Sequence, residues 1–150
     1  MSEISKLEQN LIIKNLPKDL HSSICIKSAN RNEVPLLIPI MDIMVSFIAP
    51  SYARMAASPT KIAECFAAGI PVISNDGIGD VDKIVNRLDA GEIVNSFSDE
   101  NLIKLSSKLD KISKKGGRRL RDVSRPVLGL ELANKRYKSV YENNNMRSCL

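Results

Sequence analysis

Histidine and cysteine, on which many enzyme sites depend, are scarce in this chain of 150 residues. His21 is the single histidine, and the three cysteines, Cys25, Cys65 and Cys149, are odd in number and share no metal-ligand spacing. Disulfide frameworks use even numbers of patterned cysteines, and zinc sites and hydrolytic triads need histidine or cysteine partners. The sequence therefore argues against a disulfide-rich protein and a histidine-dependent hydrolase, and we expect no bound metal.

Long apolar runs are also lacking. The longest run, residues 34–50, is interrupted by Pro35, Pro39 and Asp42 and falls short of the roughly 20 apolar residues that a membrane-spanning helix needs. Residues 1–16 carry charges in every turn, unlike the apolar centre of a secretory signal peptide. We therefore expect a protein of the reducing cytoplasm, where cysteines stay unpaired.

Aromatic residues make up only 4% of the chain, whereas basic residues are concentrated. The net charge of +5 comes mainly from the Lys and Arg residues between 104 and 121, where Asp110 is the one acidic residue. No aromatic residue lies between Phe97 and Tyr137, so this basic stretch lacks the stacking rings of single-strand binders. We expect no nucleic-acid partner. The stretch could be a pair of solvated helices, or it could contact an anionic membrane surface.

Segments whose apolar residues have the spacing of a helix alternate along the chain with segments typical of strands. The predicted strands are 24–26, 42–48, 70–74 and 91–94; the predicted helices are 2–15, 30–38, 58–69, 80–86, 98–113, a basic helix after the glycines at 116–117, and 127–143. Residues 49–57 are expected to form a loop. This order predicts an α/β fold, a Rossmann-like parallel sheet flanked by helices. We expect one domain over residues 1–150, helical from about residue 98 and frayed from about residue 144.

The sequence SPTK at 58–61 carries a strong helix start signal, with serine at the N-cap and proline at the first helical position. Ligands of open parallel sheets bind where such helices leave the carboxyl edge, and unpaired N–H groups there suit a phosphate. A carboxylate at Glu64, one turn further on, could accept hydrogen bonds from two sugar hydroxyls. Alternatively, Ser58 only caps the helix, and Lys61 and Glu64 are solvated. The candidate site residues are Arg54, Ser58, Pro59, Thr60, Lys61 and Glu64.

A second candidate is the glycine turn GIGD at 77–80, which also ends a strand and begins a helix. It lacks the third glycine of a dinucleotide-binding fingerprint and the Gly-Lys-Ser/Thr of a Walker loop. The glycines could serve turn geometry alone, with Asp76 and Asp80 as capping residues. We therefore rank this turn behind the helix start.

The segment SPTKIAECFAAGIPVISN at 58–75 resembles the signature segment of retaining GT-B glycosyltransferases of the family-4 type, the glycosyl transferases group 1. The family's next turn, helix and strand are resembled by GIGD at 77–80, DKIV at 82–85 and GEIV at 91–94. The aromatic end of its terminal helix is resembled by Tyr137 and Tyr141. Upstream, NRNEVP at 30–35 and the Asp-Ile pair at 42–43 also fit. The resemblance covers roughly residues 24–142 and makes the chain similar to part of a donor-binding domain.

This resemblance implies a nucleotide-diphosphate sugar, such as a UDP- or GDP-sugar, as the donor substrate. Glu64 would hold the ribose hydroxyls, and Ser58, Pro59 and Thr60 would form the loop-to-helix element that meets the diphosphate. Arg54 or Lys61 would add positive charge. No separate cofactor is implied.

Two features depart from the family pattern. Family members usually have two glutamates in this segment. Glu64 occupies the position of the second, and Ala56, eight residues earlier, occupies the position of the first. Family enzymes also place the active site between two Rossmann-like domains, and this chain resembles only the later part of the donor domain. We therefore assign no catalytic residue, and we expect the chain to be inactive unless a second chain supplies the acceptor domain.

The sequence thus predicts a glycosyltransferase, or its nucleotide-sugar-binding part, that transfers sugar to a glycan or lipid-linked acceptor. The resemblance implies polysaccharide or lipopolysaccharide biosynthesis in the cytoplasm, with peripheral contact at the inner membrane face. One alternative is a non-catalytic nucleotide-binding or interaction module, from a truncated or split enzyme. A less favoured alternative is a basic nucleic-acid-binding protein.

Overall fold

The computed structural model describes residues 5–49, 51–55 and 60–147, and the chain divides into two compact units between Leu36 and Leu37. The first unit contains α1 (Lys6–Lys14) and a 3-10 helix at Lys18–Ser23, and α2 (Val34–Leu37) spans the division. A capping box begins α1, because the Ser5 hydroxyl accepts from the Glu8 N–H and the Glu8 carboxylate accepts from the Ser5 N–H.

The strand expected at 24–26 is not formed, and that prediction is wrong. Its residues have irregular backbone, and none of the described strands pairs with them. A short apolar run becomes a strand only where a neighbouring strand completes its hydrogen bonds. Ile24 and Ile26 are half-buried here, while Cys25 is exposed.

The second unit alternates strands and helices after a 3-10 helix at Ile38–Ile40. Its elements are β1 (Met44–Ser46), α3 (Tyr52–Met55), α4 (Thr60–Ala68), β2 (Val72–Asn75), α5 (Val81–Leu88), β3 (Gly91–Val94), α6 (Asp99–Ser106), α7 (Leu109–Ser113), α8 (Arg118–Leu128) and α9 (Leu130–Arg147). The three described strands form one parallel sheet in the order β1-β2-β3, with Val72 paired to Met44 on one side and to Gly91 on the other. The predicted α/β fold, a Rossmann-like sheet flanked by helices, is confirmed.

Helices cover both faces of this sheet. On one face, Val72 packs with Phe66 of α4, Val85 of α5 and Leu120 of α8. On the other face, Ile73 and Val94 pack with Ile112 of α7. Every residue of β2 is buried, as expected for the central strand of a parallel sheet.

The β1 strand is less well covered. It lies at one edge of the sheet formed by the described strands, and the side chain of Val45 is 55% exposed. Phe47, two residues later, is 45% exposed. This edge of the sheet and the residue that follows it therefore present two large apolar side chains that are about half-exposed.

Two glycines allow backbones to meet directly. Gly69, which ends α4 as its sequence predicts, accepts a hydrogen bond of 2.7 Å from the N–H of Gly117 at the start of α8. A Cβ atom at Gly69 would lie 2.6 Å from the Gly117 carbonyl oxygen. At Gly91, with φ of 155°, a Cβ atom would collide with the backbone of Val72. Both contacts therefore require glycine.

Several helix predictions need correction. Residues 52–55, expected within a loop, form α3. The helix expected over 98–113 divides into α6 and α7, because the hydroxyls of Ser106 and Ser107 donate to the Ile103 and Lys104 carbonyls and compete with the helical pattern.

The inward face of this helix pair also differs from the prediction, which placed Leu102, Leu105 and Leu109 inside. Ile112 is buried and Leu105 is half-buried, but Leu102 and Leu109 are exposed, and the break at 107–108 takes Leu109 out of the helical phase of Leu105. Further on, α8 continues through Pro126 to Leu128 rather than giving way to a new helix at 127. Across the described ranges, no helix combines the length and apolar character needed to cross a bilayer.

Candidate functional site

The α4 helix packs against the sheet through a narrow apolar face. Ile62, Cys65 and Phe66 are buried, at the spacing that places side chains on one side of a helix. Glu64 falls between these positions in sequence, so it points away from the sheet and is exposed. The carboxylate is therefore available at the surface instead of being turned into the core.

Three of the predicted site residues share this outer face. Thr60 and Glu64 are four residues apart, Lys61 and Glu64 are three apart, and all three side chains are exposed. In the described ranges, neither the Lys61 ammonium nor the Glu64 carboxylate forms a hydrogen bond or ion pair with another residue. The structure thus brings Thr60, Lys61 and Glu64 together in the first turns of α4, with their polar groups facing solvent.

The other predicted site residues are not described to the same extent. Ser58 and Pro59 lie outside the described residues, so the expected N-cap stays a prediction. Arg54 belongs to α3, but its side chain is outside the description. Its role toward a phosphate also stays a prediction.

Cys65, next to Glu64 in sequence, lies on the opposite side of α4. Burial, with the negative charge of Glu64 as a smaller cause, raises the pKa of the Cys65 thiol to about 11. The side chain is 2% exposed and belongs to the core cluster. Cys65 is therefore a neutral packing residue. The polar side chains that α4 exposes lie on the opposite, outer face of the helix.

The glycine turn, the second candidate, leaves the same edge of the sheet. Because Ser46 pairs with Ser74, the carboxyl ends of β1 and β2 lie side by side. Gly77 and Gly79 have φ of 72° and 50°, while Ile78 between them is fully buried and anchors the turn. The loop that leads to α4 and the glycine turn therefore start from adjacent strands.

Asn75 connects these two segments and was missed as a functional candidate. It is the last residue of β2 and is 1% exposed. Its side-chain oxygen accepts from the Ile48 N–H at 2.8 Å, and its nitrogen donates to the Ile48 and Asp76 carbonyls at 3.0 and 2.9 Å. A polar amide at the end of a buried strand was the available sequence signal, but the sequence does not reveal its partners.

Two further features lie near the end of β3. A groove of about 180 Å³ includes Asn95, Asn101 and Lys104 in its lining, together with an ion pair of 2.6 Å between Lys108 and Glu92. Lys104 is paired with Glu100 at the same distance, so acidic side chains already neutralise both lysines of the groove.

An aromatic pair also joins the strand ends. Phe47, after β1, and Phe97, after β3, make an edge-to-face contact with ring centroids 5.0 Å apart. The two rings are 45% and 50% exposed. Sequence periodicity could not pair these residues because they are distant along the chain.

The basic stretch at 104–121 is largely engaged within the fold. Arg119 donates to the Leu88 and Asp89 carbonyls at 3.1 and 2.8 Å, at the carboxyl end of α5, and Arg121 donates to the Ala68 carbonyl at 3.2 Å, at the end of α4. Helix C-termini carry unpaired carbonyls and partial negative charge, so both arginines act as caps. Much of the basic character of α8 therefore has a structural explanation.

His21 lies in the first unit, where its Nε2 is 3.0 Å from the Leu16 carbonyl oxygen. Among the described residues, no group of three or more His, Cys, Asp or Glu side chains is arranged to hold a metal ion. The chain matches no family model, no curated protein and no solved structure.

Proposed function

We propose that this chain is the donor-binding part of a retaining glycosyltransferase and binds a nucleotide-diphosphate sugar at the start of α4. The observation that carries the proposal is the exposed face formed by Thr60, Lys61 and Glu64, which has a cation and a carboxylate without partners in the described ranges. The resemblance of segment 58–75 to the donor-binding signature supports the same site.

The chemistry proposed for this site divides between charge and hydrogen bonding. The N–H groups at the start of α4 and the Lys61 ammonium would attract the diphosphate. The Glu64 carboxylate would accept hydrogen bonds from the two ribose hydroxyls. When the sugar leaves the nucleotide, negative charge grows on the diphosphate, and the same groups would stabilise it without changing position. The acceptor would bind to a second chain, which completes the cleft.

Titration calorimetry with UDP, GDP and their sugars tests the proposal. We expect one of these nucleotides to bind the wild-type chain, and Glu64→Ala to weaken its binding by about 1–3 kcal/mol, the usual cost of leaving polar groups without partners. Glu100→Ala is the matched control, because it removes another exposed helical glutamate that lies in α6, on the opposite sheet face. Its affinity should equal that of the wild type.

The absence of binding heat with every nucleotide diphosphate would exclude a donor site. Binding that is equally strong in a folded Glu64→Ala variant would refute the ribose assignment alone. A non-catalytic binding module gives the same calorimetry but no sugar transfer when a candidate acceptor domain is added. Transfer in that mixture, lost in Glu64→Ala, supports the enzyme.

We further propose that this activity serves polysaccharide or lipopolysaccharide assembly in the cytoplasm, at the inner membrane face. The free thiols of Cys25 and Cys65 suit a reducing compartment. In the basic stretch, the Lys114 ammonium has no hydrogen bond or ion pair with another described residue, and the Lys111 ammonium has only the longer-range attraction of Asp89, so both are available to an anionic surface. Flotation with vesicles that contain or lack anionic lipid measures this contact.

A further inference from the structure

The side chain of Asn75 continues the pairing of β1 with β2 after the regular ladder has ended. The last paired residues are Ser46 and Ser74. Two residues after Ser46, the Ile48 N–H and carbonyl both bond to the Asn75 amide, at 2.8 and 3.0 Å. One planar amide therefore takes the place of the next backbone partner.

The same amide also holds the first residue after β2. Its nitrogen donates a second hydrogen bond, of 2.9 Å, to the carbonyl of Asp76, where the glycine turn begins. Ile48 stands just before the segment that leads through α3 to α4. Asn75 thus fixes the starting points of both segments that leave this edge of the sheet.

This bonding pattern needs an amide of this length. Ile48 presents one donor and one acceptor, and Asp76 presents an acceptor, so the side chain must accept once and donate twice. An aspartate in the ionised form can only accept, and it would face two carbonyl oxygens. Because Asn75 is 1% exposed, water would replace the lost partners poorly.

We propose that Asn75 is a positioning residue for the donor site: by clamping Ile48 and Asp76 it fixes where the chain leaves β1 and β2, at the sheet edge beside the proposed nucleotide-binding groups. This inference rests on the proposed function. It adds a buried residue that touches no substrate and acts through the backbone it holds.

The Asn75→Asp variant gives the inference a pH signature. At pH 8 the ionised carboxylate repels the two carbonyls, and we expect nucleotide affinity to fall about tenfold or more, with faster hydrogen exchange at the Ile48 amide. Burial favours the neutral acid, so towards pH 5 the protonated carboxyl donates again and part of the affinity returns. Asn75→Ala should lose affinity at both pH values, with no recovery on acidification.

Ser74→Ala is the matched structural control. It removes the hydrogen bonds of 3.1 and 3.4 Å that the Ser74 hydroxyl donates to the Ser46 and Asn75 carbonyls, but leaves the bonds between the Asn75 side chain and Ile48 in place. We expect a lower melting temperature with unchanged affinity. If Asn75→Asp does not fold, Asn75→Ser, which keeps one donor, is measured in the same way.

The outcomes separate the two proposals. If the wild-type chain binds no UDP, GDP or their sugars, the proposed function fails. If the wild type binds but the folded Asn75 variants bind equally well at both pH values while Ile48 exchanges faster, only the positioning role is overturned. Affinity loss in Asn75→Asp that recovers on acidification, with none in Ser74→Ala, supports it.

Discussion

Two cysteines in the described chain have opposite surroundings. Cys25 is exposed in the irregular segment of the first unit, whereas Cys65 is buried under α4. Burial, followed by the charge of Glu64, raises the pKa of Cys65 to about 11. Thiol reactivity requires the thiolate, so access and protonation both protect Cys65.

We expect iodoacetamide at pH 8 to alkylate Cys25 in the native protein and to leave Cys65 unmodified until the chain unfolds. Peptide mass spectrometry after timed quenching measures both sites in the same sample. In denaturant the two rates should become similar, which serves as the internal control. Rapid native alkylation of Cys65 would contradict its burial.

Asp89 is another residue whose titration the fold changes. A hydrogen bond from Lys115 holds the pKa of the Asp89 carboxyl below its ordinary value, and the charges of Lys115, Arg119 and Lys111 act in the same direction. A lowered folded-state pKa stabilises the protein above the unfolded-state pKa of about 3.9, and this contribution is lost as the pH falls through the folded-state value.

Asp89→Asn should therefore unfold more easily than the wild type at pH 7, by at most about 0.5 kcal/mol because the Asp89 carboxyl is largely exposed. Asparagine accepts the left-handed backbone of this position, φ 47°, so backbone strain does not enter the comparison. Below the folded-state pKa the two proteins should unfold alike. Urea unfolding at a series of pH values falling from 7 through the acid range checks this; a gap that stays the same over the whole series would contradict it.

At the scale of elements, helix ends decide much of this architecture. The carboxyl end of α5 receives three hydrogen-bond donors from neighbouring basic residues, because Lys115 donates to the Gly91 carbonyl just beyond and Arg119 to the Leu88 and Asp89 carbonyls. Arg119 also donates to the carbonyl of Lys115 at 3.0 Å. This one side chain joins α5 to the turn before α8.

Arg119→Ala should lower the free energy of unfolding by about 1–2 kcal/mol, since helix-end carbonyls would lose charge-assisted donors. Arg118→Ala provides the control: the Arg118 side chain is 93% exposed and its Nε lies 3.7 Å from the Asp122 carboxylate, so we expect a change below about 0.5 kcal/mol. Urea unfolding of both variants gives the comparison. Equal effects would show that Arg119 is not a cap.

Elements with several agreeing local signals could be predicted from the sequence. The strand predicted at 91–94 has those bounds in the structure, and the helix predicted to end at Gly69 does so. On α4, the spacing of apolar residues was sufficient to place Lys61 and Glu64 outside. The strand at 24–26 was wrong because its formation depends on a distant partner.

The parts of the site that escaped prediction depend on tertiary contacts. Asn75 forms hydrogen bonds with Ile48, 27 residues earlier, and local sequence patterns do not predict such a contact. The same holds for Arg121, whose partner Ala68 lies 53 residues away. Their residue types were visible in the sequence, but their roles required the fold.

At the scale of the whole molecule, burial is unequal between the two units. In the described part of residues 1–36 no residue is buried, while the buried apolar residues lie between Ile62 and Leu120. Folding free energy comes chiefly from apolar surface removed from water. The second unit therefore contains the core that a domain needs in order to fold on its own.

We expect a fragment of residues 37–150 to unfold in one cooperative transition, because the whole buried cluster lies within it. Thermal unfolding followed by circular dichroism measures this, and the full chain is the reference. A broad, non-cooperative transition, together with binding of a dye specific for exposed apolar surface, would show that the fragment lacks a fixed core.

The exposed β1 edge, with Val45 and Phe47, has a consequence for handling the protein. Open strand edges with large apolar side chains are templates on which further chains stack, and natural proteins usually guard them with lysine or proline. Here the nearby charge is Asp42, before the strand, and no lysine stands in β1. Concentrated stocks are therefore expected to self-associate through these exposed side chains, and Val45→Lys is the first change to make when preparing samples for crystallisation.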